Sequence, residues 1–286
     1  MWIILVSLKI NKMVEYKNQL IIFSKNRASQ LNLLLDSLKE NANNLFDKIT
    51  VLYKSDFDYS IGYQKLKNKH QNVVFVQESN FRRDFINLID DDIESTTFMV
   101  DDAILFDKIK NNKIEILKPV VEDYFIFSLR LGFNCVYSHP ANLYYNLGEH
   151  EINGDYLIFD YTKQQAGDFR YPLSTDGHIY NTTLIKDLLI EIDFNNPNTL
   201  EANLQMFVFN NSIPKNMVCF KQSKLVSVPV NLVNNTFNNR HGLEFGISEK
   251  ELNDKFLNNE IIDLNSMDFS GINGPHKEIK YKFKIN

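Results

Sequence analysis

Residues 20–38 read LIIFSKNRASQLNLLLDSL, and this stretch decides the fold class. The apolar run at residues 20–23 predicts a short buried strand, which ends at the polar residues Ser24 to Arg27. Leucines then recur at positions 31, 34, 35 and 38, which is the spacing of one face of a helix. A strand followed at once by an amphipathic helix is a βα unit, so the sequence predicts a sheet with parallel strands.

The same alternation continues to about residue 100. Further strands are predicted at 49–53, 73–76 and 97–100, and helices at 61–69 and 81–89. This order predicts an α/β fold with a Rossmann-like, mostly parallel mixed sheet flanked by helices, in a single domain with an irregular C-terminal extension. Beyond residue 102 we expect a helix opened by Pro119 and ended by Gly132, a strand at 135–137, and aromatic-rich strands and turns over 144–161. A helix from Asn198 or Thr199 and a strand near 225–230 follow.

Composition excludes several classes of protein. Apolar residues make up 44% of the 286 residues and charged residues 23%, which is typical of a globular chain rather than a disordered one. The net charge of −5 argues against general binding to nucleic acid. Two cysteines without metal or disulfide spacing favour a reducing compartment. The apolar residues 2–8 lack a basic start and fall short of the roughly 20 residues that span a bilayer, so we expect a cytoplasmic protein, with peripheral membrane association left open.

The chain is predicted to divide into four parts. Residues 1–15 form a leader or an extra edge strand, 16–135 and 136–235 the two halves of the domain, and 236–286 a C-terminal extension.

Two adjacent carboxylates, Asp101 and Asp102, follow the predicted strand at 97–100. Ligands of open α/β sheets bind beyond the carboxyl ends of the strands, so this is the position to inspect. Neighbouring carboxylates at the end of a buried strand repel each other unless a cation or hydrogen-bond donors compensate. A magnesium or manganese ion would do so, since both take oxygen ligands. A solvated loop or a helix cap is the alternative.

Five stretches of sequence occur in an order that resembles one family. They are IFSKNR (22–27, followed by Gln30-Leu31), FMVDD (98–102), SLRLG (128–132), YPLSTDGH (171–178) and NPNTLE (196–201). In this order they resemble nucleotide-diphosphosugar transferases of the glycosyltransferase-A fold, close to bacterial family-two glycosyltransferases. They span most of the chain.

The resemblance implies that residues 16–135 are a nucleotide-sugar-binding half and residues 136–235 an acceptor-binding and catalytic half. It also implies a donor site at the ends of the first strands. Its expected residues are Ser24, Asn26, Arg27, Asp56, Glu78, Asp101, Arg130 and His178. Several of them have a structural alternative. Asn26 could cap the following helix, and Arg27 could be a surface residue ahead of it. Arg130 could complement the dipole at a helix C-terminus, and His178 could be a buried structural histidine.

The resemblance also implies a metal ion. Asp101 and Asp102, with His241 as a late ligand, are the expected ligands of Mn²⁺ or Mg²⁺. The family's usual Asp-x-Asp motif is broken here, because Ala103 occupies its third position. Weak metal binding, or stabilisation of the leaving diphosphate by basic side chains, therefore stays open.

Glu201 is the first candidate for the catalytic base, and Asp176 is the second. The resemblance implies an acid at the start of the helix near residue 200 that deprotonates the acceptor hydroxyl, and partial burial would raise its pKa toward the working pH. The spacing from Asn198 to Glu201 also fits a capping box, in which the glutamate only reaches back to a backbone N–H.

The predicted function is transfer of a sugar from a nucleoside diphosphate sugar to a hydroxyl of a glycan or lipid-linked acceptor, with inversion, during assembly of a surface glycan. Two alternatives remain. One is a catalytically silent module that binds sugar nucleotides or glycans. The other is a nucleotidyltransferase, which is less favoured because residues 24–27 contain no glycine. The transferase hypothesis requires a cavity that joins the acidic pair and the first turn to Glu201.

Overall fold

The computed structural model describes residues 15–211, 213–234, 236–237 and 239–286 of the protein. Its helices are α1 (Ala28–Asn41), α2 (Ser60–Lys69), α3 (Phe81–Leu88), α4 (Lys113–Glu122), α5 (Thr182–Glu191), α6 (Pro197–Asn210) and α7 (Glu249–Leu257). Its strands are β1 (Asn18–Lys25), β2 (Lys48–Lys54), β3 (Val74–Gln77), β4 (Ser95–Val100), β5 (Ala103–Leu105), β6 (Ile126–Ser128), β7 (Tyr137–Ser138), β8 (Leu143–Tyr144), β9 (Glu151–Asn153), β10 (Tyr156–Asp160), β11 (His178–Asn181), β12 (Asn216–Phe220), β13 (Leu225–Ser227), β14 (Glu260–Ile262) and β15 (Phe283–Ile285). The predicted leader at residues 1–15 lies outside the described residues except for Glu15.

Nine of the strands in the described residues form one sheet, in the order β3-β2-β1-β4-β11-β6-β12-β10-β9. The first four are parallel, as the βα repeats predict. Strands β11 and β10 run against their neighbours, and the other seven share one direction. The prediction of an α/β fold with a mostly parallel mixed sheet is therefore confirmed.

Both faces of the central strand β1 are covered. Leu20 and Ile22 belong to the hydrophobic cluster that includes the buried leucine face of α1. Ile21 and Phe23 belong to a second cluster on the opposite face, where the Phe23 ring meets Phe85 edge-on at 5.0 Å between centroids. This alternation follows from the two-residue period of a strand, and it explains why the run at 20–23 is apolar throughout.

The helix predicted from Pro119 to Gly132 is wrong. The helix in this region is α4, which Asn112 caps by accepting a hydrogen bond from the backbone N–H of Ile114 at 3.0 Å. Pro119 lies inside α4, and residues 126–128 form β6 between β11 and β12. Sheet pairing therefore decides the structure here, and Arg130 follows a strand rather than ending a helix. The strand predicted at 135–137 is the two-residue β7.

The C-terminal region packs against α1 and against the two-stranded sheet of β5 and β13. A third hydrophobic cluster joins Val226 and Val228 to Ile272, Ile279 and Tyr281. Ser227 of β13 forms a parallel bridge with His276, so the segment around residue 276 lies beside β13. Within the part of the chain that the structure describes, no helix has the length and the hydropathy needed to cross a membrane.

Candidate functional site

A cavity of about 950 Å³ lies beyond the carboxyl ends of β1 and β4. Its wall includes Ser24, Lys25, Arg27, Glu78, Asp102, Arg130, Asp176, Glu201, His241 and His276. Phe23, Leu52 and Phe81 add apolar surface. Every one of the five stretches that carry the family resemblance contributes at least one residue. The cavity required between the acidic pair and Glu201 is therefore present.

Arg27 binds both carboxylates of the acidic pair. Its Nη1 donates to Asp101 Oδ1 at 3.1 Å and to Asp102 Oδ2 at 3.0 Å. Its Nη2 donates to the backbone carbonyl of Asn231 at 2.6 Å. The other oxygen of Asp101 accepts the backbone N–H of Lys25 at 3.0 Å. Since the Arg27 guanidinium is buried, the interpretation of Arg27 as a surface residue is wrong, and it is this cation that compensates the two acids.

The predicted metal ligands do not assemble into a metal site. The described residues contain no group of three or more His, Cys, Asp or Glu side chains that could hold an ion. Arg27 occupies the position between Asp101 and Asp102, and the His241 ring bonds to the backbone carbonyl of Asn239 at 2.8 Å through Nδ1. The side chains present therefore do not fit a Mn²⁺ or Mg²⁺ ion, and the metal requirement stays an untested prediction from the sequence.

Arg130 forms a second buried ion cluster at the back of the cavity. Its Nη2 donates to Asp168 Oδ1 at 2.6 Å, and its Nη1 donates to Asp176 Oδ2 at 3.3 Å and to Ser174 Oγ at 2.9 Å. The Tyr145 hydroxyl donates to the remaining Asp168 oxygen at 2.9 Å. Because Arg130 lies after a strand, the alternative role at a helix dipole is excluded. The sequence indicates no role for Asp168, and it suggests Tyr145 only as one of several aromatic residues that could stack on a sugar; neither residue belongs to a motif.

Asp176 is buried, and one of its two carboxylate oxygens is bound in this cluster. Its Oδ2 accepts from Ser227 Oγ at 2.5 Å as well as from Arg130, and the His276 ring lies 3.9 Å away. Burial raises the pKa of Asp176 to about 6, against the attraction of Arg130. These contacts favour a positioning role for Asp176 over that of a freely accessible base.

Glu201 does not cap its helix. Asn196 is the N-cap of α6 and exchanges hydrogen bonds with Thr199, so the Asn198–Glu201 capping box is wrong. Glu201 Oε1 instead accepts from Ser174 Oγ at 2.8 Å and from the backbone N–H of Thr175 at 2.9 Å. Its Oε2 accepts no hydrogen bond from the described residues. One oxygen is thus fixed and the other is free at the cavity wall.

Four predicted site residues do not line the cavity. Asn26 and Asp56 bond to each other, the Asn26 amide N donating at 2.7 Å and the Asp56 backbone N–H at 2.8 Å. Asn26 does not cap α1, whose N-cap is Arg27 without a side-chain cap bond. Asp101 is buried and bonded to Arg27 and Lys25, and His178 bonds to the carbonyl of Pro172 at 2.9 Å. Burial lowers the pKa of His178 to about 3, so it is a neutral structural histidine. Contact of these four side chains with a ligand in this cavity is therefore not supported.

Gly177 holds the loop between Asp176 and β11 in a conformation that other residues avoid. Its φ is +76°, and an added Cβ would lie 2.2 Å from Cδ2 of Leu225. We expect Gly177→Ala to lower the free energy of unfolding by about 1–2 kcal/mol through the positive φ and by a further 1–3 kcal/mol through overpacking. Urea denaturation measures the change. Gly154→Ala is the matched control, because its φ is +56° but nothing lies within 4 Å; equal losses in the two variants would contradict the steric argument.

Comparison with known proteins gives similarity at the level of the fold. No family model and no curated protein matches the sequence. A crystal structure of S. aureus TarS 1-349 in complex with UDP is 15% identical with a TM-score of 0.48, over 73% of this chain and 59% of that chain. The same protein in complex with UDP-GlcNAc is 15% identical with a TM-score of 0.48, over 81% and 62%. The inositol-1-phosphate CTP transferase from T. maritima is 12% identical with a TM-score of 0.38, over 73% and 91%.

This chain therefore spans about three fifths of the length of the TarS 1-349 chains. Sequence identities and TM-scores as low as these describe the general fold only and say nothing about activity.

Proposed function

We propose that the protein transfers a sugar from a nucleoside diphosphate sugar to a hydroxyl of a glycan or lipid-linked acceptor, as a step in assembly of a surface glycan. One observation carries the proposal. A carboxylate with one fixed and one free oxygen, Glu201, lines the same cavity as the residues that follow the parallel strands. Ligands of open α/β sheets bind at that edge, and a general base must reach the group that it deprotonates.

The strand-end side of the cavity suits a nucleotide. Phe23, Leu52 and Phe81 provide apolar surface for a base, and Ser24 and Glu78 provide hydrogen-bonding groups beside it. A mostly apolar wall with a few fixed polar groups is typical of small-molecule sites. The volume of about 950 Å³ lies at the upper end of the range of such sites, which leaves room for an acceptor as well as a donor.

The proposed reaction is a single displacement. The free Oε2 of Glu201 removes the proton from the acceptor hydroxyl, and the hydroxyl oxygen attacks the anomeric carbon of the donor. The bond between that carbon and the phosphate oxygen breaks, and the nucleoside diphosphate leaves with the electron pair. One displacement inverts the anomeric centre. Ser174 and Thr175 hold the carboxylate in one orientation for this proton transfer, which reduces the entropy lost at the transition state.

The two alternatives make different predictions about what is released. A binding module holds the donor and releases nothing. A nucleotidyltransferase joins a nucleoside triphosphate to a sugar phosphate and releases pyrophosphate from the triphosphate. The strand-end segment at residues 24–27 contains no glycine, and the chain continues as strand β1 to Lys25, so no phosphate-cradling glycine loop exists there.

The test is a thermal-shift screen against nucleoside diphosphate sugars that carry uridine, guanosine, cytidine or thymidine. The ligand that stabilises the protein most is then incubated with the enzyme alone, and release of nucleoside diphosphate is followed over hours. We expect saturable binding with slow release, because water replaces the missing acceptor. Binding without release supports the module, release of pyrophosphate from triphosphates supports nucleotidyl transfer, and absence of binding to any donor contradicts the proposal.

A further inference from the structure

We propose that Lys25 and Arg240 hold the donor's diphosphate in this cavity without a divalent cation, and that Arg27 occupies the acidic pair in place of one. The proposal rests on the function proposed above and adds the means by which the charge of the leaving group is neutralised.

The acidic pair has little capacity left for a metal ion. Both oxygens of Asp101 already accept hydrogen bonds, one from Arg27 and one from the backbone N–H of Lys25. One oxygen of Asp102 accepts from Arg27, which leaves a single carboxylate oxygen without a bond from the described residues. A cation that displaced Arg27 would leave a buried guanidinium without its counter-ions, which is strongly unfavourable.

Among the described residues, five lysines and arginines line the cavity, namely Lys25, Arg27, Lys54, Arg130 and Arg240. Arg27 and Arg130 are bound to buried aspartates. Lys54 lies 3.6 Å from Glu78. Among the residues that the structure describes, no acid lies within ion-pair distance of Lys25 or Arg240. These two are therefore the cavity cations whose charge is available to a ligand.

Arg240 is held in place by neutral groups. Its Nη1 donates to the Tyr137 hydroxyl at 3.0 Å and to the carbonyl of His139 at 2.9 Å. The neighbouring acid, Glu278, directs its oxygens to the backbone N–H groups of residues 243–245 instead. The guanidinium is thus oriented with donors left over and with no carboxylate against it. A planar guanidinium with free N–H groups can bind two phosphate oxygens through two parallel hydrogen bonds.

Lys25 ends strand β1 at the same edge of the sheet as Asp102. Its backbone is fixed by the bond to Asp101, and its side chain is half-buried at the cavity wall. Partly desolvating an ammonium group without a counter-ion costs free energy, and an anionic ligand removes this cost. A diphosphate between Lys25 and Arg240 supplies such an anion, since it carries charge on both of its phosphates.

Calorimetric titration with UDP, GDP, CDP and dTDP tests the proposal, each in EDTA and each in Mn²⁺. For the diphosphate that binds most tightly, we expect Kd values within about twofold of each other in the two buffers. Lys25→Gln and Arg240→Gln are each expected to raise Kd by about tenfold or more, as loss of one charge-assisted hydrogen bond does. The affinity for the corresponding nucleoside should stay unchanged in both variants. Lys250→Gln, an exposed lysine of α7, is the control and should leave Kd unchanged.

Three results would overturn the inference. Binding that disappears in EDTA and returns with Mn²⁺ shows that a metal is needed. Unchanged Kd in both cavity variants shows that Lys25 and Arg240 do not hold the diphosphate. No binding of any nucleoside diphosphate contradicts the proposed function itself, and the inference with it.

A second measurement addresses the acidic pair directly. Titration of the wild-type protein with Mn²⁺, followed by the electron paramagnetic resonance signal of the free ion, should show no specific binding. Arg27→Gln releases Asp101 and Asp102, so we expect this variant to bind Mn²⁺ at least tenfold more tightly than the wild type. If Arg27→Gln does not fold, the wild-type titration alone decides, because specific Mn²⁺ binding there contradicts the proposal.

Discussion

Glu201→Gln is expected to lower kcat for sugar transfer by about 10²–10⁴-fold, the contribution typical of a general base. The amide keeps the size of the side chain, and its oxygen can still accept from Ser174 and Thr175, so the shape of the cavity stays the same. The amide cannot take up a proton from the acceptor. The donor's Kd should therefore change by less than about twofold, and initial rates at saturating donor with calorimetry on the same preparation measure both quantities.

Glu191→Gln is the matched control, since Glu191 is exposed at the end of α5 and should leave kcat unchanged. Asp176→Asn separates the two candidate bases. If Asp176→Asn abolishes transfer in a folded protein and Glu201→Gln retains wild-type kcat, Glu201 is not the base.

Arg130→Met is expected to lower the free energy of unfolding by about 3–5 kcal/mol, the range measured when one partner of a buried ion pair is removed. The guanidinium joins Asp168 and Asp176, and all three side chains are buried. Methionine fills much of the volume but leaves two carboxylates close together without a cation. The midpoint and slope of urea denaturation, followed by far-ultraviolet circular dichroism, give the change.

Lys250→Met provides the comparison for an exposed ion pair. Lys250 and Asp254 are one turn apart on α7 and open to solvent, so we expect a loss below about 0.5 kcal/mol. Combining Arg130→Met with Asp168→Asn and Asp176→Asn should recover part of the lost stability, because the carboxylates are then neutral. A loss of under 1 kcal/mol for Arg130→Met alone would show that the cluster does not depend on its cation.

The first half of the fold follows from local patterns. The run at 20–23 is apolar at every position because both faces of β1 are covered, and the leucines of α1 repeat with the period of a helix. Signals of this kind depend on neighbours in sequence, so they predict β1 to β4 and the helices between them. The segment at 119–132 lacks them, since Pro119 lies inside a helix and β6 exists only through its pairing with β11 and β12.

The sequence predicts several residues that line the site, but not which side chains bond to each other there. The position of Asp102 and Glu201 at one cavity follows from strand ends and from the family resemblance. Arg27 bonds to Asp101 and Asp102, which lie 74 and 75 positions further along the chain. Tyr145 bonds to Asp168, and neither residue belongs to a motif. Partners of this kind are determined by three-dimensional packing, and the spacing of residues along the chain gives no sign of them.

The bridge between Ser227 and His276 has a practical consequence for protein engineering. Because it seats the last segment beside the cavity, with His276 in the wall and Tyr281 in the hydrophobic cluster, residues after 270 help to shape the binding surface. Shortening the chain before this point, or exchanging its tail with that of another protein, would remodel the cavity in which we propose that acceptor and donor meet. Changes of selectivity can therefore be sought in a segment that sequence inspection treats as an appendage.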